Sequence, residues 1–335
     1  MQKIKIIEGT YKIRGKDVDL GGMVFPLVEE FKVGANGGYV TVDGTAVAGF
    51  PDRNIKIKVD SADSYTAVNA NTKITQREES DEETIERLRE RFSILEDMTR
   101  ACKKGDVRAM IVSGPPGVGK SFGVEKVLGK HDLVATLGER PAKYQVVKGA
   151  MSAIGLYCKL YNYADKDNVL VFDDCDSVLM DDLSLNILKA ALDSKKTRTI
   201  HWNTDSFKLR NEGVPDSFEF KGSAIFITNI KFDNVKSKKL RDHLEALESR
   251  CHYIDLTIDT EREKMLRIKQ IVQDGMLKDY GFTEEQHEAV VDFIDINKSK
   301  LRELSLRTVL KVADLAKAFP SNWEAMAEST VLQRA

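Results

Sequence analysis

The chain has 335 residues, of which 42% are hydrophobic and 31% charged, with a formal net charge of −2. That composition fits a globular chain with room for two or three domains, and it gives no global case for nucleic-acid or membrane binding, although a local basic patch is compatible with it. No stretch approaches 18 apolar residues, the first eight residues lack an apolar leader, and Cys102, Cys158, Cys175 and Cys251 form no C-x-x-C pair. The expectation is a cytoplasmic chain with reduced thiols, neither secreted nor membrane-spanning, without a zinc site or disulfide frame.

Residues 1–75 are dense in glycine (Gly21, Gly22, Gly34, Gly37, Gly38, Gly44, Gly49). The β-prone runs Lys3–Ile7, Tyr39–Val42 and Ile55–Val59 predict a small β-rich N-terminal domain, in which no chemistry is legible. Ala67–Asp81 is polar and reads as a linker. Glu82–Lys104 is expected to be helical, with Ile85, Leu88, Phe92, Leu95 and Met98 at helical spacing. From Val107 to Leu256, helices alternate with the apolar runs Ala109–Val112, Tyr144–Val147, Val169–Phe172, Ala224–Thr228 and Tyr253–Leu256. That alternation predicts an α/β domain with a parallel sheet covered on both faces. After Thr257 only helices are expected, at Glu261–Gln273, Glu284–Ile294, Ser305–Ala318 and near Trp323–Val331. The domain reading is therefore 1–75, 76–256 and 257–335.

Gly114-Pro115-Pro116-Gly117-Val118-Gly119-Lys120-Ser121 fits G-x-x-x-x-G-K-[S/T] at every fixed position, between an apolar strand and a helix that begins near Phe122. Glycines let such a loop approach phosphate oxygens closely, the lysine reaches the β- and γ-phosphates, and the serine hydroxyl can ligate Mg2+. Residues 114–122 are thus the expected nucleotide contacts. Asn168-Val169-Leu170-Val171-Phe172-Asp173-Asp174 is an apolar strand ending in two carboxylates, at the edge where open α/β sheets bind ligands. Asp173 is the expected holder of the magnesium shell, with Ser121, and Asp174 the water-activating acid. Asp176 reads as a cap or a surface acid. Ser223–Asn229 is a third buried strand, ending in Thr228-Asn229.

This order of motifs resembles the AAA+ ATPases over about residues 82–318. The resemblance implies an AAA+ P-loop module with a C-terminal helical lid, preceded here by the β-rich domain, and ATP with Mg2+ as substrate and cofactor. It implies that Asn229 positions the attacking water. Ser249-Arg250-Cys251 resembles a motif of the clamp-loader branch, so Arg250, with Arg241 in reserve, is the expected arginine finger reaching a neighbour's site. Arg307, or else Arg302, is the expected lid arginine. A trans arginine implies a homo-oligomer, ring or helical and most often a hexamer in that family. The texture also resembles AAA+ proteins encoded by phages, for which the compartment is the host cytoplasm.

Departures from the family pattern bear on use. The acid pair is Asp-Asp rather than Asp-Glu, so a non-catalytic ATP-dependent switch stands beside the enzyme reading. The stretch Val146–Ser152 lacks the aromatic of protein-threading loops and would offer Lys148 to a central pore. Lys195–Trp202 and Phe218–Lys221 are expected to pair as a hairpin, whose basic residues interleaved with Trp202 and Phe207 suit DNA. Nucleic acid is the favoured partner. The alternative is protein remodelling, with residues 1–75 recruiting a substrate or adaptor protein.

Overall fold

The computed structural model describes residues 2–13, 16–35, 37–47, 50, 54–69, 72, 79–137, 142–230, 232 and 235–333. It divides into two compact units, Met1–Glu83 and Thr84–Ala335. Most of the second half of the sequence-predicted linker lies outside the described residues.

The first unit is a seven-stranded antiparallel sheet of β1 (Lys3–Ile6), β2 (Thr10–Ile13), β3 (Lys16–Asp19), β4 (Val24–Gly34), β5 (Gly37–Val42), β6 (Ile55–Lys58) and β7 (Tyr65–Val68), in the order β3-β2-β6-β5-β4-β1-β7. Alternation decides the inner face: Ile4 and Ile6, Val40 and Val42, and Ile55 and Ile57 are all buried in one core with Phe25 and Leu20, while their lysine neighbours point away. Sequence patterning identifies three of these strands. It misses β4, where Pro26 and the pair Glu29-Glu30 break the apolar run, and the short polar strands β2, β3 and β7.

The second unit opens with α1 (Asp81–Lys103), which buries Leu88, Phe92 and Leu95 at helical spacing. Five parallel strands follow: β8 (Ala109–Ser113), β9 (Tyr144–Lys148), β10 (Val169–Asp173), β13 (Ser223–Thr228) and β14 (His252–Asp255), in the order β14-β8-β13-β10-β9. Each central strand feeds two cores by alternation. Met110, Val112, Val171 and Ile225 pack with α1 and with α2 (Lys120–Leu137), whereas Ile111, Leu170, Phe172 and Phe226 pack with α3 (Ala153–Asn162) and α5 (Asp182–Ala191). A short helix, α4 (Ser177–Met180), precedes α5. The strands are continuous apolar runs because both faces are covered.

The C-terminal helices are α8 (Glu261–Gln273), α9 (Glu284–Asn297), α10 (Leu306–Ala318) and α11 (Trp323–Val331). They enclose their own core around Ile268, Ile294, Val309 and Val312. Capping boxes at Thr260 and Thr283 set the starts of α8 and α9. Among the described residues no helix is long and apolar enough to cross a membrane.

β11 (Thr199–His201) and β12 (Ser217–Glu219) do pair antiparallel, with Ile200 opposite Phe218 and α6 (Phe207–Asn211) in the connection. Two of the side chains that suggested a DNA hairpin are used internally. The Trp202 ring packs 5.6 Å from that of Tyr157, which also meets Phe218 edge-on at 5.0 Å. Arg198 is buried, lies 5.2 Å from the Phe220 ring centre, and donates to Ala191 O and Gly222 O at 3.1 Å each. Burial lowers its pKa to about 10. Phe207, Lys208 and Arg210 remain exposed. Arg198→Met keeps the stem but orphans two buried carbonyls, and should lower unfolding free energy by about 1–3 kcal/mol in urea titration; an unchanged midpoint would contradict this role.

Candidate nucleotide-binding site

Parallel register brings the candidate residues to one sheet edge. Asp173 pairs with Ile227 on one side and Lys148 on the other, and Thr228 pairs with Ser113. The glycine-rich loop leaves β8 at Gly114, and α2 starts at Lys120. Gly117 and Gly119 have φ of +69° and +99°, which side-chain-bearing residues rarely adopt. Gly117 is also held by the start of α10. Its carbonyl accepts from Leu306 N at 2.9 Å, and a Cβ there would stand 2.6 Å from Ser305 Cβ.

Lys120 is 6% exposed, and its ammonium donates to Gly114 O (2.6 Å), Pro115 O (2.8 Å) and Asn229 Oδ1 (2.7 Å). Asn229 Nδ2 in turn donates to Asp174 Oδ1 at 3.0 Å. One amide thus links the loop lysine to the second carboxylate. Asp174 has φ +51°, and its amide donates to Ile227 O at 3.0 Å, so the backbone turns sharply where β10 ends. Asp173 is 4% exposed; Ser121 Oγ donates to its Oδ1 at 2.8 Å and Lys148 Nζ stands 3.1 Å from its Oδ2.

Lys148 is also engaged within its own chain. Strand register sets it beside Asp173, and Glu125 Oε1 holds its ammonium at 3.0 Å. Both carboxylates raise its pKa, Glu125 first. Asp176 does not cap α4, whose N-cap position it occupies without a side-chain bond. It accepts instead from Thr228 Oγ1 at 2.8 Å, and burial raises its pKa.

A cavity of about 710 Å³ includes Lys120, Ser121, Phe122, Asp173, Asp174 and Asn229. Pro116, Gly117, Gly119 and Arg307 line it too. Phe122 is 67% exposed, while Val118 is buried in the core, so only the backbone of Val118 is available to a ligand. Pro115 and Gly114 line an adjoining cavity of about 470 Å³ with Asn229 and Lys264. Arg302 borders neither cavity. Arg250 is exposed at the end of α7 (Lys238–Glu248), bonded only locally to Ala246 O and Ser249 Oγ among the described residues, and outside its own chain's large cavity. Arg241 spends its guanidinium on Val235 O, at 2.7 and 3.2 Å.

The donor set fits Mg2+. Ser121 Oγ and Asp173 Oδ1 already adjoin, and no group of three or more His, Cys, Asp or Glu that could hold a metal occurs among the described residues. Two protein oxygens, completed by water and phosphate oxygens, are the usual share for Mg2+ rather than for a protein-caged metal. Sequence reasoning missed Phe92, Arg267 and Gln270, which also line the large cavity. The run Glu261–Gln273 reads only as a helix, because nothing local says that a cavity lies over its polar members.

Burial lowers the Lys120 pKa to about 8, opposed by Asp174 and Asp173 and reinforced by Arg307. A phosphate ligand favours the charged lysine and raises that pKa. Below pH 8 the lysine is already protonated and affinity should be flat. Above pH 8 binding must take up a proton, so affinity should fall by up to about tenfold per pH unit. Binding of a fluorescent nucleotide in EDTA between pH 7 and 9.5 measures this, and Lys120→Arg should abolish the slope.

No family model matches the chain. Domain III of the replication initiation protein DnaA from Thermotoga maritima overlaps 72% of this chain and 92% of its own, at 10% identity and TM-score 0.39. The replication initiator DnaA bound to AMPPCP and single-stranded DNA overlaps 71% of this chain and 63% of its own, at 12% identity and TM-score 0.40. This chain thus spans less than two thirds of that initiator's length. The S. cerevisiae Hsp104:casein complex overlaps 73% of this chain and 40% of its own, at 16% identity and TM-score 0.39. In sequence, the chain is 35% identical over 258 residues to the uncharacterized 36.7 kDa protein in the nrdC–mobD intergenic region of Enterobacteria phage T4, covering 76% of this chain and 78% of that protein. At that identity and coverage, the chain belongs to the family of this phage T4 protein.

Proposed function

We propose that the chain is an AAA+-type ATP hydrolase whose active site is completed by a neighbouring copy. The observation that carries this reading is the convergence of Lys120, Ser121, Asp173, Asp174 and Asn229 on one cavity at the phosphate-loop edge of the sheet. In the proposed cycle, loop amides and Lys120 hold the β- and γ-phosphates, so the lysine exchanges its loop carbonyls for phosphate oxygens. Ser121 and Asp173 would hold Mg2+, which when bound neutralises charge on the β- and γ-phosphate oxygens.

Water attacks the γ-phosphorus, the bond to the β,γ-bridging oxygen breaks, and the water's proton passes to the Asp174 carboxylate, leaving ADP and phosphate. Asn229, bonded to Asp174, orients that carboxylate. Asp174 is one methylene shorter than the glutamate of most relatives in the resemblance, so turnover is expected to be slow. Arg307, on the lid helix whose first turn bonds Gly117, would report nucleotide state to the lid.

Arg250 has no role in its own chain's cavity and is exposed at a helix end, which supports a trans role in a ring or helical homo-oligomer. The proposed physical substrate is nucleic acid, supported by exposed Lys195, Lys196, Phe207, Lys208 and Arg210 on and around the hairpin. Kinship with a phage protein supports the host cytoplasm as the place of action. A second reading, an ATP-dependent switch that does not turn over, is supported by the shorter Asp174 side chain where the family pattern has glutamate.

Phosphate release with ATP and Mg2+ separates the two. The enzyme reading expects turnover that Asp173→Ala removes, whereas nucleotide-driven assembly without turnover favours the switch. Arg250→Ala and Asp174→Asn should each lose on the order of 10³-fold in turnover. Mixing the two variants should restore activity, because some interfaces then hold an intact acid from one copy and an intact arginine from the next. A mixture as inactive as its parts, or a protein that scatters as a monomer with ATP, rejects the shared site. Stimulation by single- or double-stranded DNA tests the substrate.

A further inference from the structure

We propose that Asp176 is a positioning residue for hydrolysis: through the Thr228 hydroxyl it sets the turn that carries Asn229, the amide between Lys120 and Asp174; this rests on the ATP-hydrolase reading above. Asp176 does not line the large cavity, so any part it plays is exerted through a neighbour. That neighbour is Thr228, the last residue of β13, which is fully buried. Its hydroxyl donates to Asp176 Oδ1 at 2.8 Å and accepts from Ile230 N at 3.0 Å.

A hydroxyl carries one proton. With the Thr228 oxygen accepting from the Ile230 amide, that proton needs an acceptor, and Asp176 supplies it. Without Asp176 the buried hydroxyl either keeps an unmatched donor or turns away from Ile230 to find another partner. Asn229 stands between the two residues that this hydroxyl joins. Ile230 is held a second time, where its carbonyl accepts from Ser113 Oγ at 3.3 Å. Asn229 itself is exposed, so packing does little to fix its side chain. The turn decides where the amide reaches, 2.7 Å from Lys120 Nζ and 3.0 Å from Asp174 Oδ1.

Asp176 is well anchored for this work. Cys175 and Val178 near it are buried in the core, and its own carbonyl accepts from Leu179 N at 3.0 Å. The next residue, Ser177, accepts from Met151 N at 3.0 Å and donates to Met151 O at 3.3 Å. The bond to Thr228 therefore ties the end of β10 to the end of β13 outside the large cavity, while Asp174 and Asn229 meet within it. A displacement of about 1 Å in such a constellation can cost about 10²-fold in rate.

The test measures phosphate release, and separately the affinity for a non-hydrolysable ATP analogue, on the full chain. The proteins are wild type, Asp176→Ala, Asp176→Asn, Thr228→Val and the double variant of Asp176→Ala with Thr228→Val. The expected result is a kcat about 10- to 100-fold lower in Asp176→Ala and in Thr228→Val, with analogue affinity unchanged. Asp176→Asn keeps an acceptor oxygen and should recover most of that loss. The double variant should be no slower than the slower single variant, because both break one chain of bonds. Unchanged kcat in Asp176→Ala, equal losses of kcat and affinity, or losses that multiply in the double variant would overturn the positioning role, as would an Asp176→Asn as slow as Asp176→Ala. Wild type that binds the analogue but releases no phosphate from ATP rejects the ATP-hydrolase reading, and this role with it. Thr228→Val is nearly isosteric, so it decides the question together with Asp176→Asn if Asp176→Ala fails to fold.

Discussion

Parallel register is the constraint on which the rest depends. β8, β10 and β13 end together because each residue of one strand is locked opposite its partner on the next, and a slip of one position would turn Asp173 out of the edge and into a core. The apolar runs that bury both faces therefore also determine where the polar chemistry stands. Lys120, Ser121, Asp173 and Asn229 come from chain segments more than a hundred residues apart at the extremes, yet each is the first or second polar residue at an apolar strand's end or a helix's start.

Burying this much charge requires partners. The Lys120 ammonium has three acceptors, and Asp173 has a hydroxyl on one oxygen and an ammonium near the other. Such burial is tolerated because each charged atom is met by a dipole or an opposite charge. The contrast is with Trp202, Arg267, Gln270, His287, Glu303 and Ser305, which retain buried polar atoms lacking partners among the described residues. All but Trp202 belong to the C-terminal helical segment.

The α/β architecture was legible because its signals are local and redundant. Five apolar runs bounded by turns, and helices with apolar residues at helical spacing, each predict themselves. The loop at Gly114–Ser121 and the acids at the end of β10 were legible for the same reason, since motif and element coincide. What sequence does not carry is the direction taken by a side chain with two plausible surroundings. Lys148 reads as a lysine offered to a pore, and only its register opposite Asp173 reveals an ion pair. Trp202 and Arg198 read as a nucleic-acid surface, because a basic and aromatic run looks alike whether it faces solvent or Tyr157 and Phe220. Arg267 and Gln270 sit in a charged helix, and Arg267 is buried against Phe92 of α1, some 175 positions earlier in the chain. Long-range packing, not local propensity, separates the missed residues from the legible ones.

The Asn229 amide has one oxygen and one NH2 group, and in this structure both are engaged, the oxygen by Lys120 and the NH2 by Asp174. A side chain so occupied behaves as a two-ended relay. Whatever draws the lysine away at one end releases the amide to pivot, and the acid at the other end loses a fixed neighbour. One amide thus ties the loop lysine to the second carboxylate, so displacing either partner frees the other without any movement of the sheet strands that carry them.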